Sequence, residues 1–167
     1  MNENYLKWLN QEGLNKDMLD ELNAMDDAQI DEAFYKHLSF GTGGMRGIIG
    51  AGTNRMNIYT VRKAVYGYAK FLLEHYDNVA SRGVVIAYDN RHNSDVFAKE
   101  CVGILAAYGI KTYLFENIRP TPLLSFSVRY KQAAGGIMVT ASHNPPNYNG
   151  VKMYDDDGCQ LVPKLAD

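Results

Sequence analysis

The sequence predicts an α/β fold: a three-layer α/β/α domain on a mostly parallel or mixed sheet, preceded by a short helical amino-terminal segment. Three observations predict it. Apolar runs of strand length at 83–88, 111–115 and 136–140 are separated by stretches with helical periodicity. Strands that alternate with helices imply parallel crossovers and a sheet covered on both faces. The chain has 167 residues, 46% hydrophobic and 22% charged, which is one domain's worth of ordinary globular composition.

Residues 1–40 form a helical lead-in of two or three short helices. Tyr5, Leu6, Trp8 and Leu9 open the first, and Asp17-Met18-Leu19 restarts after Gly13. Asp26-Asp27-Ala28 caps a further turn leading to Ile30, Phe34 and Leu38 at four-residue spacing. Gly41-Thr42-Gly43-Gly44-Met45-Arg46-Gly47 then breaks the pattern, and four glycines in seven residues predict a loop with positive φ or a close backbone approach. Residues 57–76 are the clearest helix, with Ile58, Val61, Val65, Tyr68, Leu72 and Tyr76 on one face and Arg62, Lys63 and Lys70 outside. Gly83 to Tyr88 reads as a buried strand. A helix N-capped by Ser94 follows, carrying Phe97, Cys101, Ile104, Leu105 and Tyr108 inward. Lys111 to Phe115 is a second strand, a short helical stretch follows Pro120-Thr121-Pro122, and Gly136 to Thr140 is a third strand. No repeat, low-complexity tract or linker divides the chain.

Charge and cysteine usage exclude several classes. Seventeen Lys plus Arg against nineteen Asp plus Glu leave a net charge of −2, which offers no electrostatic case for nucleic acid or an anionic membrane. Residues 1–40 hold three basic and nine acidic side chains, so the remainder is mildly basic. That excess would suit a small anionic ligand, and it is equally what ordinary surface scatter gives. Cys101 and Cys159 are too few for a disulfide framework and lack metal-ligand spacing; Cys101 falls on an apolar helix face. The polar start Met1-Asn2-Glu3-Asn4 lacks a signal-peptide apolar region, and no apolar run approaches a membrane span. The expectation is a soluble, cytoplasmic chain.

In open α/β sheets ligands bind beyond the carboxyl ends of the strands. Two such segments are polar and rich in turn formers: Asp89-Asn90-Arg91-His92-Asn93-Ser94, and the run from Ala141 through Ser142-His143-Asn144-Pro145-Pro146 to Gly150-Val151-Lys152. The second brings a serine hydroxyl, an imidazole, amides and a lysine within eleven residues, the set that phosphoryl transfer needs. Read without chemistry, it is a sharp turn rich in Asn and Pro.

The run T-A-S-H-N-P at 140–145, followed by N-G-V-K at 149–152, resembles the active-site serine loop of the α-D-phosphohexomutases, the phosphoglucomutase/phosphomannomutase family. F-G-T-G-G-M-R-G at 40–47 resembles that family's amino-terminal glycine-arginine loop, and Y-D-N-R at 88–91 its first-strand Asp-x-Arg segment. The resemblance spans about residues 38–158. The helical lead-in and the wording of the glycine loop favour the long bacterial phosphoglucomutase-like type.

The resemblance implies that residues 41–167 are domain I, the active-site serine domain, with domains II–IV absent from this chain. It makes Ser142 the phosphoserine of an isomerase that interconverts hexose 1-phosphate and hexose 6-phosphate through a bound bisphosphate. Glucose 1,6-bisphosphate would then be activator and intermediate. His143 and Lys152 handle protons and balance charge, with Lys152 the stronger acid/base candidate if its surroundings lower its pKa. Arg46 contacts phosphate through its planar guanidinium, and Asn144 orients the loop. Arg91 pairs with Asp89, holds the loop, or acts directly. Mg2+ would take one ligand from the Ser142 phosphate and the rest from an acidic loop in domain II. Asp155-Asp156-Asp157-Gly158 is expected to be a solvated turn, since neighbouring side chains on a strand face opposite ways and cannot converge on one ion. His37, His75 and His92 read as structural or surface residues, and Tyr68, Tyr76 and Tyr108 as packing. The expected partners are a hexose phosphate and the remaining domains of the same polypeptide. The end at Val162-Pro163-Lys164-Leu165-Ala166-Asp167, before any acidic loop, suggests a fragment that folds but lacks mutase activity. The alternatives are a non-catalytic phosphosugar-binding or scaffold module, and a phosphoserine-based phosphatase.

Overall fold

The computed structural model describes residues 2–161; the terminal run 162–167 lies outside them. Three short helices come first: α1 (Glu3–Leu9), α2 (Lys16–Ala24) and α3 (Asp27–Phe34). Each starts where a side chain caps it: Asn2, Asn15 and Asp26, the last in a reciprocal capping box with Gln29. They enclose their own small core of Tyr5, Leu22, Ala33, Phe34 and Ala51. Polar contacts tie this unit to the loop at 49–57. Ala51 N–H donates to Glu21 (3.0 Å), Asn54 N–H to the Ala33 carbonyl (2.9 Å), and Arg55 pairs with Glu32.

The main body contains β1 (Met45–Ile48), α4 (Ile58–His75), α5 (Val79–Arg82), β2 (Val84–Tyr88), α6 (Ser94–Ala107), β3 (Thr112–Leu114), α7 (Thr121–Lys131), β4 (Gly135–Val139) and β5 (Tyr148–Tyr154). The five strands form one mixed sheet in the order β1-β5-β4-β2-β3. β2 pairs in parallel with β3 and β4, whereas β5 runs antiparallel to both β4 and β1. Alternation along β2 sends Val84 and Ile86 to one face, against α4 and α6, and Val85 and Ala87 to the other, against α7. All four are buried, so the strand reads as an unbroken apolar run. The predicted three layers are therefore present, with the helical segment ahead of them.

Two strands lie where the sequence reading placed loops. β1 sits inside the glycine-rich run, and β5 occupies 148–154 after the serine turn. Their pairing is mutual, Arg46 opposite Gly150 and Ile48 opposite Tyr148, and no local pattern announces it. Ser94 is not the N-cap of α6. That position is Asn93, in the left-handed region at φ 61, and Ser94 is already helical, its hydroxyl turned to Asp89 (3.1 Å). Tyr108 is not a core residue but is 37% exposed, edge-on to Tyr66. Tyr68 and Cys101 are buried as expected, and burial raises the Cys101 thiol to about 12. Tyr68 donates its hydroxyl to the Tyr154 carbonyl (2.7 Å). Among the described residues no helix is long and apolar enough to cross a membrane.

The chain leaves β2 through α6 to β3 on one side, then returns through α7 to β4 on the other. Right-handed crossovers in opposite directions put α6 and α7 on opposite faces, and a crevice opens between the carboxyl ends of β2 and β4. Asp89 and Thr140 stand just beyond those two ends.

Candidate active site

From the end of β4, Thr140 and buried Ala141 deliver Ser142 to the surface in the left-handed region, at φ 56. That conformation costs a non-glycine residue about 1–2 kcal/mol, so something must hold it. The Ser142 N–H donates to Thr140 Oγ1 (2.9 Å), whose own proton goes to Asp89 Oδ2 (2.6 Å). Asn144 N–H closes a turn onto the Ala141 carbonyl (3.1 Å). The parallel register pairs Tyr88 with Val139, so Asp89 and Thr140 are the next neighbours across the strand ends.

Arg91 binds the same loop from the β2 side. Nη1 donates to the carbonyls of Pro145 (2.8 Å) and Tyr148 (3.0 Å), and Nη2 to those of Ser142 (2.6 Å) and Asn144 (2.7 Å). The fifth N–H, at Nε, lies 3.9 Å from Asp89 Oδ2. A guanidinium has five donors, and four of these are committed to main-chain carbonyls. Of the readings open for Arg91, the structure shows loop-holding, with the Asp89 pair as a weaker addition.

Arg46 and Lys152 come from the antiparallel strands and share one face of the sheet, because Arg46 lies opposite Gly150, two residues before Lys152. Arg46 Nε donates to the Gly43 carbonyl (3.0 Å) and Nη1 to Asn144 Oδ1 (3.1 Å). A β-carbon on Gly43 would collide with that guanidinium. Gly44, at φ 90, lies over Lys152, and a β-carbon there would sit 2.9 Å from Lys152 Cγ. Gly43 therefore makes room for the Arg46 guanidinium, and Gly44 lets the turn lie against the Val151 carbonyl and the Lys152 stem. Partial burial, and then the neighbouring Arg46 charge, lower the Lys152 pKa below its ordinary value.

His143 Nδ1 lies 3.4 Å from Ser142 Oγ. Asn144, besides holding its turn, is the acceptor for Arg46, so it joins the serine loop to β1. The structure thus brings Arg46, Asn144, Ser142, His143 and Lys152 to one corner of the sheet. A cleft of about 250 Å3 opens on the β2 side of Ser142 and Asn144, lined also by Asp89, Asn90, Arg91, His92 and Pro146; Arg46, His143 and Lys152 lie outside its lining. A larger cavity of about 350 Å3 lies elsewhere, between α4 and residues 37–40, and holds none of these groups.

Sequence reasoning put Asp89, Thr140, Ser94 and Asn149 inside its candidate segments but gave none of Thr140, Ser94 and Asn149 a role in the site, and gave Asp89 only a possible pairing with Arg91. Asn149 is fully buried and donates to the His92 carbonyl (2.9 Å) and to Ser94 Oγ (3.0 Å). The usable signal was positional: Asp89 and Thr140 each follow an apolar run at its carboxyl end. Among the described residues no group of three or more His, Cys, Asp or Glu could hold a metal ion. Asp89 is committed to Thr140 and Ser94. Asp155 accepts from Cys159 N–H (2.8 Å) within its turn, and Asp156 pairs with Arg82 (2.9 Å). A phosphate on Ser142 would be the group that offers this corner an anionic oxygen.

Residues 37–167 match a family model described as phosphoglucomutase/phosphomannomutase, alpha/beta/alpha domain I. A phosphoglucomutase from Staphylococcus epidermidis is 46% identical over 151 residues, covering 87% of this chain and 27% of that protein. A Schizosaccharomyces pombe protein provisionally named a phosphoribomutase is 42% identical over 142 residues, covering 85% of this chain and 24% of its own. A crystal structure from Thermus thermophilus, provisionally described as a phosphomannomutase, superposes with a TM-score of 0.69 at 41% identity. The match covers 78% of this chain and 28% of that one. The chain spans about a quarter of the length of the curated relatives it matches.

Proposed function

The chain belongs to the phosphoglucomutase/phosphomannomutase family, and from that premise we propose that it is the serine-bearing domain I of an enzyme that interconverts hexose 1-phosphate and hexose 6-phosphate. The observation that carries the reading is Ser142 held outward in a left-handed turn, beside two cations on the adjoining strands. Ser142 carries the phosphoryl group between turnovers. In the forward step a sugar hydroxyl attacks that phosphorus, a new O–P bond forms and the Ser142 Oγ–P bond breaks. The proton of the sugar hydroxyl passes to Lys152 Nζ, whose lowered pKa raises the fraction available as base. The leaving Ser142 oxygen takes a proton, and His143 Nδ1 is the neighbour placed to give it. The bisphosphate so formed reorients, and the reverse step returns a phosphoryl group to Ser142.

Arg46 balances phosphate charge, with its fork aimed by Gly43 and Asn144. Mg2+ would supply further charge neutralisation, the Ser142 phosphate giving one ligand and groups outside this chain the others. Remaining domains of the same polypeptide would complete the sugar site, so the 167-residue chain alone is proposed to be inactive as a mutase.

Peptide mass spectrometry of the natural protein after incubation with glucose 1,6-bisphosphate tests the reading. The expected result is one phosphoryl group on Ser142, absent from Ser142→Ala. Phosphate on another residue, or none, overturns it. Turnover of glucose, mannose and ribose phosphates compared in the same protein gives the sugar class.

A further inference from the structure

Ser142 is committed to an unfavourable backbone conformation, and the groups that hold it there come from the segment 89–91 together with Thr140. The Thr140 hydroxyl has a single proton. A carboxylate can only accept, so the 2.6 Å bond to Asp89 Oδ2 takes that proton and leaves the Thr140 lone pairs facing the Ser142 N–H. Asp89 is itself pinned, because Oδ1 accepts from Ser94 Oγ (3.1 Å) and from Arg91 N–H (3.2 Å). Ser94 in turn is held by buried Asn149 (3.0 Å). The carboxylate therefore has one orientation, and so does the threonine hydroxyl. Reversing that hydroxyl would set its proton against the Ser142 N–H, two donors with no acceptor between them.

We propose that Asp89 and Thr140 are a positioning pair that holds Ser142 in its left-handed conformation and so sets the direction in which its oxygen leaves the loop. The proposal rests on reading Ser142 as the phosphoryl carrier. Neither residue is proposed to touch substrate; each acts through the serine main chain. The role needs the threonine hydroxyl and not its methyl group, which gives a discriminating pair of variants.

In Thr140→Val the shape stays and the acceptor goes; in Thr140→Ser the acceptor stays. In the 167-residue chain, backbone chemical shifts of Ser142 should leave left-handed values in Thr140→Val, and its amide should exchange with solvent about tenfold faster or more. Amides of Ile86 and Ile137 should be unchanged. In the natural protein kcat should fall about tenfold, with KM within about twofold, as expected when an interaction of the transition state is lost. Thr140→Ser should restore both readouts. Should Thr140→Val not fold, Asp89→Asn, which removes the charge that orients the hydroxyl, should give the same shifts at smaller amplitude. Unchanged Ser142 shifts and exchange in Thr140→Val would overturn the positioning role, as would failure of Thr140→Ser to rescue. Absence of phosphate from wild-type Ser142 would instead overturn the functional reading, and the magnetic resonance result would stand independently of it.

Discussion

In the parallel half of the sheet, β2 and β4 are buried on both faces, and the candidate phosphoryl carrier Ser142 stands beyond a strand end, held from Asp89 and Arg91. In the antiparallel half, β1 and β5, the candidate phosphate and proton groups Arg46 and Lys152 stand on the strands themselves. The difference follows from what covers each half. α6 and α7 pack on opposite faces of β2 and β4, leaving no room for a charge. β1 is an edge strand; one face of this half packs through Met45, Val151 and Met153 into the core with α4, and the glycine turn at 41–44 covers the face that carries Arg46 and Lys152. A backbone without side chains can lie close over a lysine and an arginine and still leave their ends open to a ligand. Stability and chemistry are thus divided between the two halves, and substitutions should separate them.

The largest separation should come from exchanging Ile137 in one half and Arg46 in the other. Ile137→Ala removes a fully buried side chain facing α4 and α6, and is expected to lose about 2–4 kcal/mol in chemical denaturation. Phosphoryl uptake per folded molecule should be unchanged. Arg46→Ala should do the reverse. Its bonds go to the Gly43 carbonyl and Asn144 and are partly open to solvent, so stability should stay within about 1 kcal/mol. Turnover of the natural protein should fall by about 10²–10³, as removal of a preorganised group facing developing charge does. Equal losses of stability from both substitutions would erase the division.

Glycines mark where the division ends, because close backbone approach supports the fold in the antiparallel half as well. A β-carbon on Gly150, in β5, would lie 2.5 Å from the Met45 carbonyl oxygen and 2.8 Å from that of Thr140. Both are backbone atoms of flanking strands, which cannot step aside singly. Gly150→Ala should therefore cost about 3 kcal/mol and lower Tm by roughly 6–12 °C. On Gly136, in β4, the same atom would meet Val128 Cγ2 at 2.8 Å and Leu124 Cδ1 at 3.4 Å. The Val85 carbonyl oxygen also lies 3.4 Å away, and buried, β-branched Val128 can give only by a small shift of α7, so Gly136→Ala should cost about 2 kcal/mol. Calorimetry of the two variants ranks them directly.

The division also explains what could be read from the sequence. The helices α4 and α6, and the strands β2 and β4, carry their periodicity or apolar runs locally, because each buries one or two whole faces; β3 was legible by its short apolar run although none of its residues is fully buried. β1 and β5 carry none: Gly47, Asn149 and Gly150 interrupt them, and their order comes from pairing across about a hundred residues. Ser142, His143, Asn144 and Lys152 stood out as a set of polar groups beyond a strand end, and Arg46 only through the family resemblance of its glycine loop. Asp89 and Thr140 fell inside the legible segments, but their roles did not show. An aspartate after a strand reads as a turn former and a threonine as a strand residue, and their partnership exists only through the register that sets Tyr88 beside Val139. Ser94 shows the same limit, since its place near a helix start was plain but its bond to Asp89 was not.

Lys152 gives the smallest effect and the one most particular to the antiparallel half. Its folded pKa lies below the ordinary 10.5 because burial and Arg46 disfavour its charge. Between the lowered value and 10.5 the unfolded chain binds more protons than the folded one, so this residue makes stability rise with pH across that window. Below the window both states are protonated, and the folded state carries the whole penalty of a charge held near another. Replacing the lysine by an apolar side chain of similar length removes that penalty. Lys152→Met should therefore unfold at a slightly higher temperature at neutral pH, by no more than roughly 2 °C, since the group is only partly buried. The difference from the parent should shrink as pH rises through that window and vanish above 10.5, where the parent's lysine is neutral in both the folded and the unfolded chain. Thermal unfolding of both proteins across that range checks the sign. A variant less stable than the parent at neutral pH would mean that Lys152 is held by favourable contacts, and that its corner is built for stability as the parallel half is.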